Sequence, residues 1–447
     1  MIAKANEDLR TKILEGTITK LITIPASQHR IAVDQLCPVA TEVVSALQQA
    51  GYMAFIVGGS VRDLLLGKKP KDFDVATDAT PEQVKHVFPR CRLIGRRFRL
   101  AHVRQKGVLI EVATFRGSHD AGKGGELQDG RIIRDNVWGS LEEDAMRRDF
   151  TINALFLDPV GGDISDFTGG YEDLLERRLR LVGDPETRYR EDPVRLLRAA
   201  RFVAKLGVEA DERTSALIPE LAFLLADVPP ARLFEEVCKL FLTGHAMRSF
   251  EALQRFGLST AMFPALKPSG ESGKIVADPL LMQALRNTDD RVSRELPVTP
   301  SFLFASLLWQ PVWEIAQQDM ENGITMHDSL LLASEPVFSK QSTRTAVPRR
   351  FSSVSREIWV MQARLQKTRG KRALRILADR TFRAAYDFLL LRAGQDTELE
   401  PLAEFWTKAQ VGYKFPARKT EARRGKPSGR RRRKGEGRRG GRGRKKA

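Results

Sequence analysis

Cysteine and histidine are scarce in this 447-residue sequence, which has three cysteines and six histidines. Cys37, Cys91 and Cys238 are far apart and form no Cys-x-x-Cys pair, so neither a disulfide framework nor a structural zinc site is indicated. The histidines and aspartates form no compact set that would indicate a metal-dependent His-Asp phosphohydrolase. The thiols are most simply explained as buried side chains in a reducing compartment.

Long apolar runs without charges are also missing. No stretch is long enough to span a bilayer, and residues 1–13 mix acids and bases without the apolar centre of a secretory signal. We therefore expect no membrane span and a cytoplasmic location.

Negative charge is nearly absent from the C-terminal 34 residues, 414–447, which hold 17 Lys or Arg against two Glu. That segment accounts for +15 of the net charge of +18. It has almost no apolar residues to bury, so we expect a disordered tail that contacts RNA phosphates without sequence preference. A solubilising tail without a specific partner is the alternative. The densest run of expected RNA contacts is Arg430, Arg431, Arg432, Arg433 and Lys434.

The most informative segment is Gly58–Asp74, which reads GGSVRDLLLGKKPKDFD. The apolar run Ala54–Val57 before it is short enough for a buried strand, and the glycines permit a tight turn into a helix. Backbone amides at such a helix start, with an arginine nearby, suit a triphosphate. The residues assigned to nucleotide binding on this basis are Gly58, Gly59, Ser60 and Arg62.

Two carboxylates, Asp72 and Asp74, follow this helix with only Phe73 between them. On an extended segment both would project from one face. Like charges so close together are costly unless a cation lies between them. An isolated Asp-x-Asp is more often an Asx turn in a solvated loop, but the glycine turn upstream favours a divalent-metal site.

A third carboxylate, Glu111, interrupts the apolar and β-prone run Val108–Phe115. A glutamate on an edge strand that faces solvent is the alternative interpretation. With Asp72 and Asp74 already assigned, Glu111 is the expected third metal or base carboxylate of a two-metal site for phosphoryl transfer.

Four short motifs follow one another along the chain: GGSVRD at 58–63, DFD at 72–74, RRDFTINA at 147–154 and EDPVRLLRAARF at 191–202. Together they resemble the motifs of the class II template-independent nucleotidyltransferases of the polymerase β superfamily. That family includes bacterial tRNA CCA-adding enzymes and bacterial poly(A) polymerases. The resemblance implies nucleotidyl transfer to an RNA 3′ end, with two Mg²⁺ ions at the three carboxylates and release of pyrophosphate.

The resemblance also assigns roles beyond the carboxylates. It places Asp149 in the catalytic site and Arg148 in contact with the nucleotide. Asp192 and Arg195 would meet the Watson-Crick edge of the incoming base, where Asp192 accepts from the adenine N6 amino group and Arg195 donates to N1. Arg198 would position them or reach a phosphate. From spacing alone, arginines every three residues more often form a solvated basic stripe.

The branch within the family is indicated by three further segments. LIGRRFRLAHV at 93–103, RDNVWGS at 134–140 and PETRYR at 185–190 resemble the poly(A) polymerase branch. We therefore expect a monomeric poly(A) polymerase that adds AMP from ATP to RNA 3′ ends. A CCA-adding enzyme is the nearer alternative, and a non-catalytic RNA-binding protein is the more distant one.

The expected fold class is α+β. Strand and helix signals alternate to about Phe167, and helical periodicity dominates after Gly170. We expect a polymerase β-like head with a mixed sheet and helices, followed by an all-α neck and body. The expected boundaries are 1–30 for an N-terminal extension, 31–168 for the head, 169–260 for the neck, 261–412 for the body and 413–447 for the tail.

Overall fold

The computed structural model of the chain describes residues 21–95, 99–117, 126–128, 131–134, 138–269, 274–276, 278–369 and 375–413. The expected RNA contacts at 430–434 and the first 20 residues lie outside these ranges. Within them, a mixed sheet with flanking helices is followed by an almost entirely helical region, and the predicted α+β class is confirmed.

The head contains an eight-stranded sheet in the order β1-β10-β9-β2-β3-β6-β5-β4. Its only parallel neighbours are β3 and β6, and every other adjacent pair is antiparallel. The strands of this sheet are β1 (Ile22–Ile24), β2 (Ala54–Val57), β3 (Asp74–Thr77), β4 (Arg92–Ile94), β5 (Leu100–Gln105), β6 (Val108–Thr114), β9 (Leu155–Leu157) and β10 (Ile164–Asp166). A separate hairpin pairs β7 (Glu126–Gln128) with β8 (Arg131–Arg134).

Helices of the head cover the sheet. Helix α1 buries Val39, Val43, Val44 and Leu47 along one side, as its apolar spacing predicts. The head helices are α1 (Pro38–Gln49), α2 (Gly59–Leu65), α3 (Pro81–Val87), α4 (Leu141–Arg147) and α5 (Gly170–Leu175).

In the described residues after the head, helices predominate. Those closest to the head in sequence are α6 (Pro185–Glu191), α7 (Val194–Leu206), α8 (Glu212–Leu221), α9 (Pro230–Phe241), α10 (Ala246–Arg255) and α11 (Ser259–Met262). The remaining ones are α12 (Pro279–Ser293), α13 (Pro300–Leu307), α14 (Trp309–Glu321), α15 (Met326–Ser342), α16 (Arg349–Leu365), α17 (Phe382–Ala393) and α18 (Glu400–Ala409). The described ranges also contain two-residue strands, of which the first lies before α6 and the others lie between later helices: β11 (Arg178–Leu179), β12 (Glu209–Ala210), β13 (Pro268–Ser269) and β14 (Lys274–Ile275).

The hydrophobic core does not stop at the end of the head. Phe150 and Ile152 belong to the same buried cluster as Leu196, Leu197 and residues of later helices. The third sequence motif therefore packs into the helical region, while β9, which follows it in sequence, pairs with β2 and β10 inside the sheet. The proposed domain boundaries stay a prediction.

The run Glu191-Asp192-Pro193 joins two helices. A proline after two acids is typical of a helix start, and α7 begins directly after it at Val194 with Pro193 as its N-cap, while Glu191 is also the last residue of α6. Asp192 has an extended backbone with ψ at 91°, because the residue before a proline is disfavoured in the helical region. The segment is thus a corner between two helices.

Within the described part of the chain, none of the helices combines the length and apolarity needed to cross a lipid bilayer.

Candidate active site

Three acidic residues lie near the junction of β3 and β6, which run parallel to each other. Asp74 opens β3 and lies opposite Glu111 of β6 in the strand register, so both side chains project from the same face. Asp72 lies two residues before Asp74 and is exposed, as are Asp74 and Glu111. The Nε2 atom of His102, the register partner of Glu111 on β5, is 3.2 Å from Glu111 Oε1.

The three acids repel one another. Asp74 keeps contact with solvent, but surrounding protein atoms displace part of its hydration. This desolvation is the largest cause that raises the pKa of Asp74 to about 6, followed by the negative charges of Asp72 and then Glu111. Arg148 opposes the shift. Negative charge at this edge is therefore incompletely compensated by the protein, as expected of a site that receives cations.

The glycine turn needs its glycines. Gly58 has φ at 70°, and a Cβ atom there would lie 3.2 Å from Arg148 Nη1. The turn begins α2 as predicted, and it brings backbone amides and the Arg148 guanidinium to one place.

Two side chains of the turn are already engaged by the protein. The Ser60 hydroxyl donates to the Val57 carbonyl oxygen at 3.1 Å. Arg62 is buried, and its guanidinium donates to Asp63 Oδ1 at 2.6 and 2.9 Å and to Asn153 Oδ1 at 2.6 Å. What the turn presents to a ligand is therefore its backbone, while Arg62 fixes α2 to the rest of the site.

Arg148 is held beside the acids by three contacts. Its Nε and Nη2 donate to Asp144 Oδ2 at 3.1 and 2.9 Å, and its Nη1 donates to the Asn153 carbonyl oxygen at 3.2 Å. The guanidinium carbon also lies 4.8 Å from the centre of the Phe156 ring. Arg148 is thus an oriented cation next to the carboxylates, ready to face a phosphate.

Asp149 joins the head to the helical region. Its Oδ2 accepts from both Nε and Nη2 of Arg198 on α7, the former at 2.7 Å, and its Oδ1 accepts from the Phe150 amide and from Asn153 Nδ2 at 2.9 and 3.0 Å. Burial alone would raise the pKa of Asp149, but Arg198 and these hydrogen bonds outweigh burial and lower it. Asp149 faces an arginine and not the three acids.

The two residues expected to contact the base lie on the corner between α6 and α7. Asp192 Oδ2 accepts from Arg232 Nη2 at 2.7 Å, and its Oδ1 accepts from the Val194 amide at 3.3 Å. Arg195 Nη1 donates to the Arg188 carbonyl oxygen at 2.6 Å and to Glu191 Oε2 at 3.0 Å. Both side chains are therefore fixed by other protein groups.

The basic stripe of α7 is not solvated. Arg195, Arg198 and Arg201 each contact an acid, namely Glu191, Asp149 and Glu236. The stripe ties α7 to α6, to the head and to α9.

Sequence reasoning did not assign a role to Asn153, Arg188 or Arg232. Asn153 lies within the third motif and bridges Arg62 and Asp149, so the motif itself contained that signal. Arg188 Nη2 donates to the carbonyl oxygens of Arg147 and Arg148 at 2.7 and 2.6 Å. No local pattern marks Arg232, since its partner is 40 residues away.

Three family models match the chain. The poly A polymerase head domain matches residues 54–180, the probable RNA- and SrmB-binding site of polymerase A matches 207–269, and the polymerase A arginine-rich C-terminus matches 322–440.

Known proteins resemble the chain over very different lengths. Poly(A) polymerase I of Salmonella typhimurium is 46% identical over 87% of this chain and 85% of its own length. The CC-adding tRNA nucleotidyltransferase of Halalkalibacterium halodurans is 38% identical over 50% of this chain and 54% of its own length. The crystal structure of the Bacillus stearothermophilus CCA-adding enzyme in complex with CTP has a TM-score of 0.58 at 26% identity, and covers 84% of this chain and 83% of that one.

A glycine turn, carboxylates at a strand edge and a helical array after a mixed sheet define a template-independent nucleotidyltransferase. The match to the Salmonella protein extends through the helical region, whereas the match to the CC-adding enzyme covers half of the chain. The chain belongs to the bacterial poly(A) polymerase family. The expected preference for this branch over the CCA-adding enzymes is confirmed.

Proposed function

We propose that this chain adds AMP from ATP to RNA 3′ ends and releases pyrophosphate. The observation that carries the proposal is the register of Asp74 opposite Glu111, with Asp72 two residues away and the glycine turn beside them. Family membership supports the reaction class, and this arrangement supports a catalytic site at this edge of the sheet.

In the transfer a bond forms between the RNA 3′ oxygen and the α-phosphorus of ATP, while the bond from that phosphorus to the bridging oxygen of the β-phosphate breaks. The hydroxyl proton passes to solvent. Developing charge falls on phosphate oxygens, which Arg148 and the amides of the turn would face. No histidine is required as a base.

Magnesium fits the donor set at this edge. Carboxylate oxygens are its preferred protein ligands, and the raised pKa of Asp74 to about 6 signals negative charge that a cation would compensate. Asp72, Asp74 and Glu111 would hold two ions that polarise the attacking and leaving oxygens. In the described ranges no three such side chains already form a metal-binding group.

We propose that the corner Asp192–Arg195 selects adenine. A carboxylate has several acceptor sites, so Asp192 can accept from an adenine amino group while Arg232 keeps its orientation. Arg195 would donate to N1. These two side chains would thereby select the incoming base, which a template base does in other polymerases.

Arg232→Ala is expected to reduce selectivity for ATP over CTP, measured as the ratio of kcat/KM values, by about tenfold, because Asp192 loses the charged hydrogen bond that orients it. Single-nucleotide incorporation assays give this ratio. Arg255→Ala is the matched control, since Arg255 Nη1 contacts the exposed Glu209 at the same 2.7 Å. Equal ratios in the two variants would remove Arg232 from base selection.

The test of the proposed function is extension of an unstructured RNA oligomer with each nucleoside triphosphate separately. Long ladders with ATP alone are expected on a denaturing gel. A product limited to C, C and A on tRNA would instead indicate a CCA-adding enzyme, and binding of RNA without metal-dependent extension would indicate a non-catalytic protein.

RNA is the macromolecular substrate that we propose, with the run Arg430–Lys434 as an additional backbone contact. RNA and ATP are both cytoplasmic, and we propose that location. We also propose that the enzyme acts as a monomer.

A further inference from the structure

Helices α2 and α7 contact each other through long side chains. The Arg62 guanidinium carbon is 5.2 Å from the centre of the Phe202 ring, and Lys205 Nζ is 3.9 Å from Asp63 Oδ2. Helix α2 begins at the glycine turn, and α7 begins at the corner that contains Asp192. These contacts bring the far ends of the two helices near each other.

A basic cluster forms at these far ends, made of Lys68, Lys205, His245 and Arg248. Lys68 follows α2, Lys205 is in the last turn of α7, and the other two are at the start of α10. Burial and then the Arg248, Lys205 and Lys68 charges lower the pKa of His245, although Asp289 opposes them. Arg248, Lys205 and Lys68 thus all act on His245 although they come from three separate segments. The geometry agrees, since Arg248 Nη1 would lie 3.7 Å from a Cβ atom on Gly207, the residue after α7.

The nearby acids are already occupied. Asp63 Oδ1 accepts two hydrogen bonds from Arg62, and the Asp289 carboxylate accepts from the Ala246 and Met247 amides at 2.6 and 3.1 Å. Among the contacts of the described residues, Lys68 and Arg248 have no ion-pair partner, and both are exposed. His245 Nδ1 is buried there without a hydrogen-bond partner. The cluster therefore has positive charge and donors in excess.

The position of the cluster relative to the site follows from α7. Ten residues separate Arg195 from Lys205, and at 1.5 Å per residue the helix places them about 15 Å apart along its axis. A strand of RNA whose 3′ end occupies the active site spans that distance with a few nucleotides.

We propose that Lys68, Lys205, His245 and Arg248 contact the phosphate backbone of the RNA substrate a few nucleotides upstream of its 3′ end. The inference rests on the proposed polyadenylation function. Lysine and arginine without acidic counterparts suit phosphodiesters and give affinity without sequence preference. His245 and Arg248 lie within the segment that matches the RNA-binding family model at 207–269, whereas Lys68 and Lys205 lie outside it.

The test is the full chain carrying Lys68→Gln, Lys205→Gln and Arg248→Gln together. Its control carries Lys85→Gln, Arg90→Gln and Lys340→Gln, which removes the same charge from exposed positions elsewhere. With long unstructured RNA we expect the Kd of the first variant to rise about tenfold or more, and the slope of log K against log salt to fall by about 2, at about 0.7 per lost phosphate contact. The control is expected to match the unmodified chain.

AMP incorporation into primers of different lengths tests the backbone contacts of the cluster separately from the proposed polymerase activity. ATP incorporation into the shortest extendable primers should be equal in all three proteins, while longer primers should raise KM for the cluster variant without lowering kcat. Loss at every length, or no difference from the control at any length, would overturn the inference. An unmodified chain that adds no AMP at all would overturn the proposed function instead. The double variant Lys68→Gln/Arg248→Gln, which changes exposed residues only, serves if the triple variant does not fold.

Discussion

Asp74→Ala is expected to reduce AMP incorporation by about a thousandfold or more, while RNA binding and the circular dichroism spectrum stay unchanged. Asp74 is the acid that lies between Asp72 and the register partner Glu111, so its loss removes the centre of the site. The size follows from several kcal/mol of transition-state stabilisation at about 1.4 kcal/mol per factor of ten. Gel extension assays and fluorescence anisotropy with labelled RNA give the two measurements.

The control for Asp74 is Asp78→Ala. Asp78 is an exposed aspartate that follows the same strand, so a similar loss there would mean that the strand had been damaged and not the site. Appreciable polymerisation by the Asp74 variant would sink the assignment of this edge as the active site.

The melting temperature of the Asp74→Ala protein also distinguishes loss of the site from damage to the strand. A carboxyl whose pKa is raised from 3.8 to about 6 on folding favours the fold while it is protonated, and that contribution is lost as the pH rises through this range. The Asp74→Ala protein should therefore melt at the same temperature as the unmodified chain or higher above pH 6, in buffer without divalent cations. A large drop in melting temperature would contradict this.

Asp149→Asn is expected to destabilise the fold by about 3 kcal/mol, at the lower end for a broken buried ion pair because Arg198 keeps some solvent contact. The side chains of Asp149 and Arg198 are 13% and 29% exposed. The substitution leaves the Arg198 guanidinium without its counter-charge. An asparagine side chain has one acceptor oxygen, so its NH2 group would face the donors of either Arg198 or Phe150 and Asn153. Urea denaturation followed by fluorescence gives the change in unfolding free energy.

The matched control is Glu186→Gln. Arg190 donates to Glu186 through the same two atoms, Nε and Nη2, at 3.0 and 2.8 Å, but both side chains are more than half exposed, at 52% and 54%. Exposed pairs contribute at most about 1 kcal/mol. Equal changes in unfolding free energy for the two variants would show that the Asp149 ion pair does not stabilise the contact between the head and the helical region.

The pH dependence at Asp149 has the opposite sign to that at Asp74. A carboxyl whose pKa is lowered on folding stabilises the fold above its unfolded value of 3.8, and the contribution is lost as the pH falls through the folded pKa. The difference in unfolding free energy between the unmodified chain and Asp149→Asn should therefore shrink on acidification below about pH 4. A difference that stays constant there would mean that packing and not the ion pair is responsible.

Much of the site could be predicted because its parts are local. Two glycines before α2 and two aspartates one residue apart indicate a turn and a carboxylate pair through rules of backbone geometry that act over a few residues. Glu111 could be predicted because a charge in an apolar strand needs a reason. The run Glu191-Asp192-Pro193 indicates a helix start, and α7 begins directly after it at Val194, but these residues gave no sign that another helix, α6, ends at Glu191.

The joint between head and helical region could not be predicted in the same way. One chain of hydrogen bonds links the helix that follows the glycine turn to α7. It runs through Arg62, Asn153, Asp149 and Arg198. Local spacing indicated a solvated basic stripe for α7, and only the packing of the third motif into the helical core brings an acid to Arg198. Pairs such as Asp192 with Arg232, 40 residues apart, have no local signal at all.

By itself the sequence determined the reaction class and the order of sheet and helices, and it predicted the three carboxylates, since each of these signals lies in residues close together in the chain. The tertiary structure alone decided which charges face which. It buries the side chains of Arg62 and Ser60, connects the head to α7 through Asp149 and Asn153, and assembles the basic cluster from three segments. Long-range electrostatics depend on distances across the fold, and residues far apart in sequence acquire those distances only when the chain has packed.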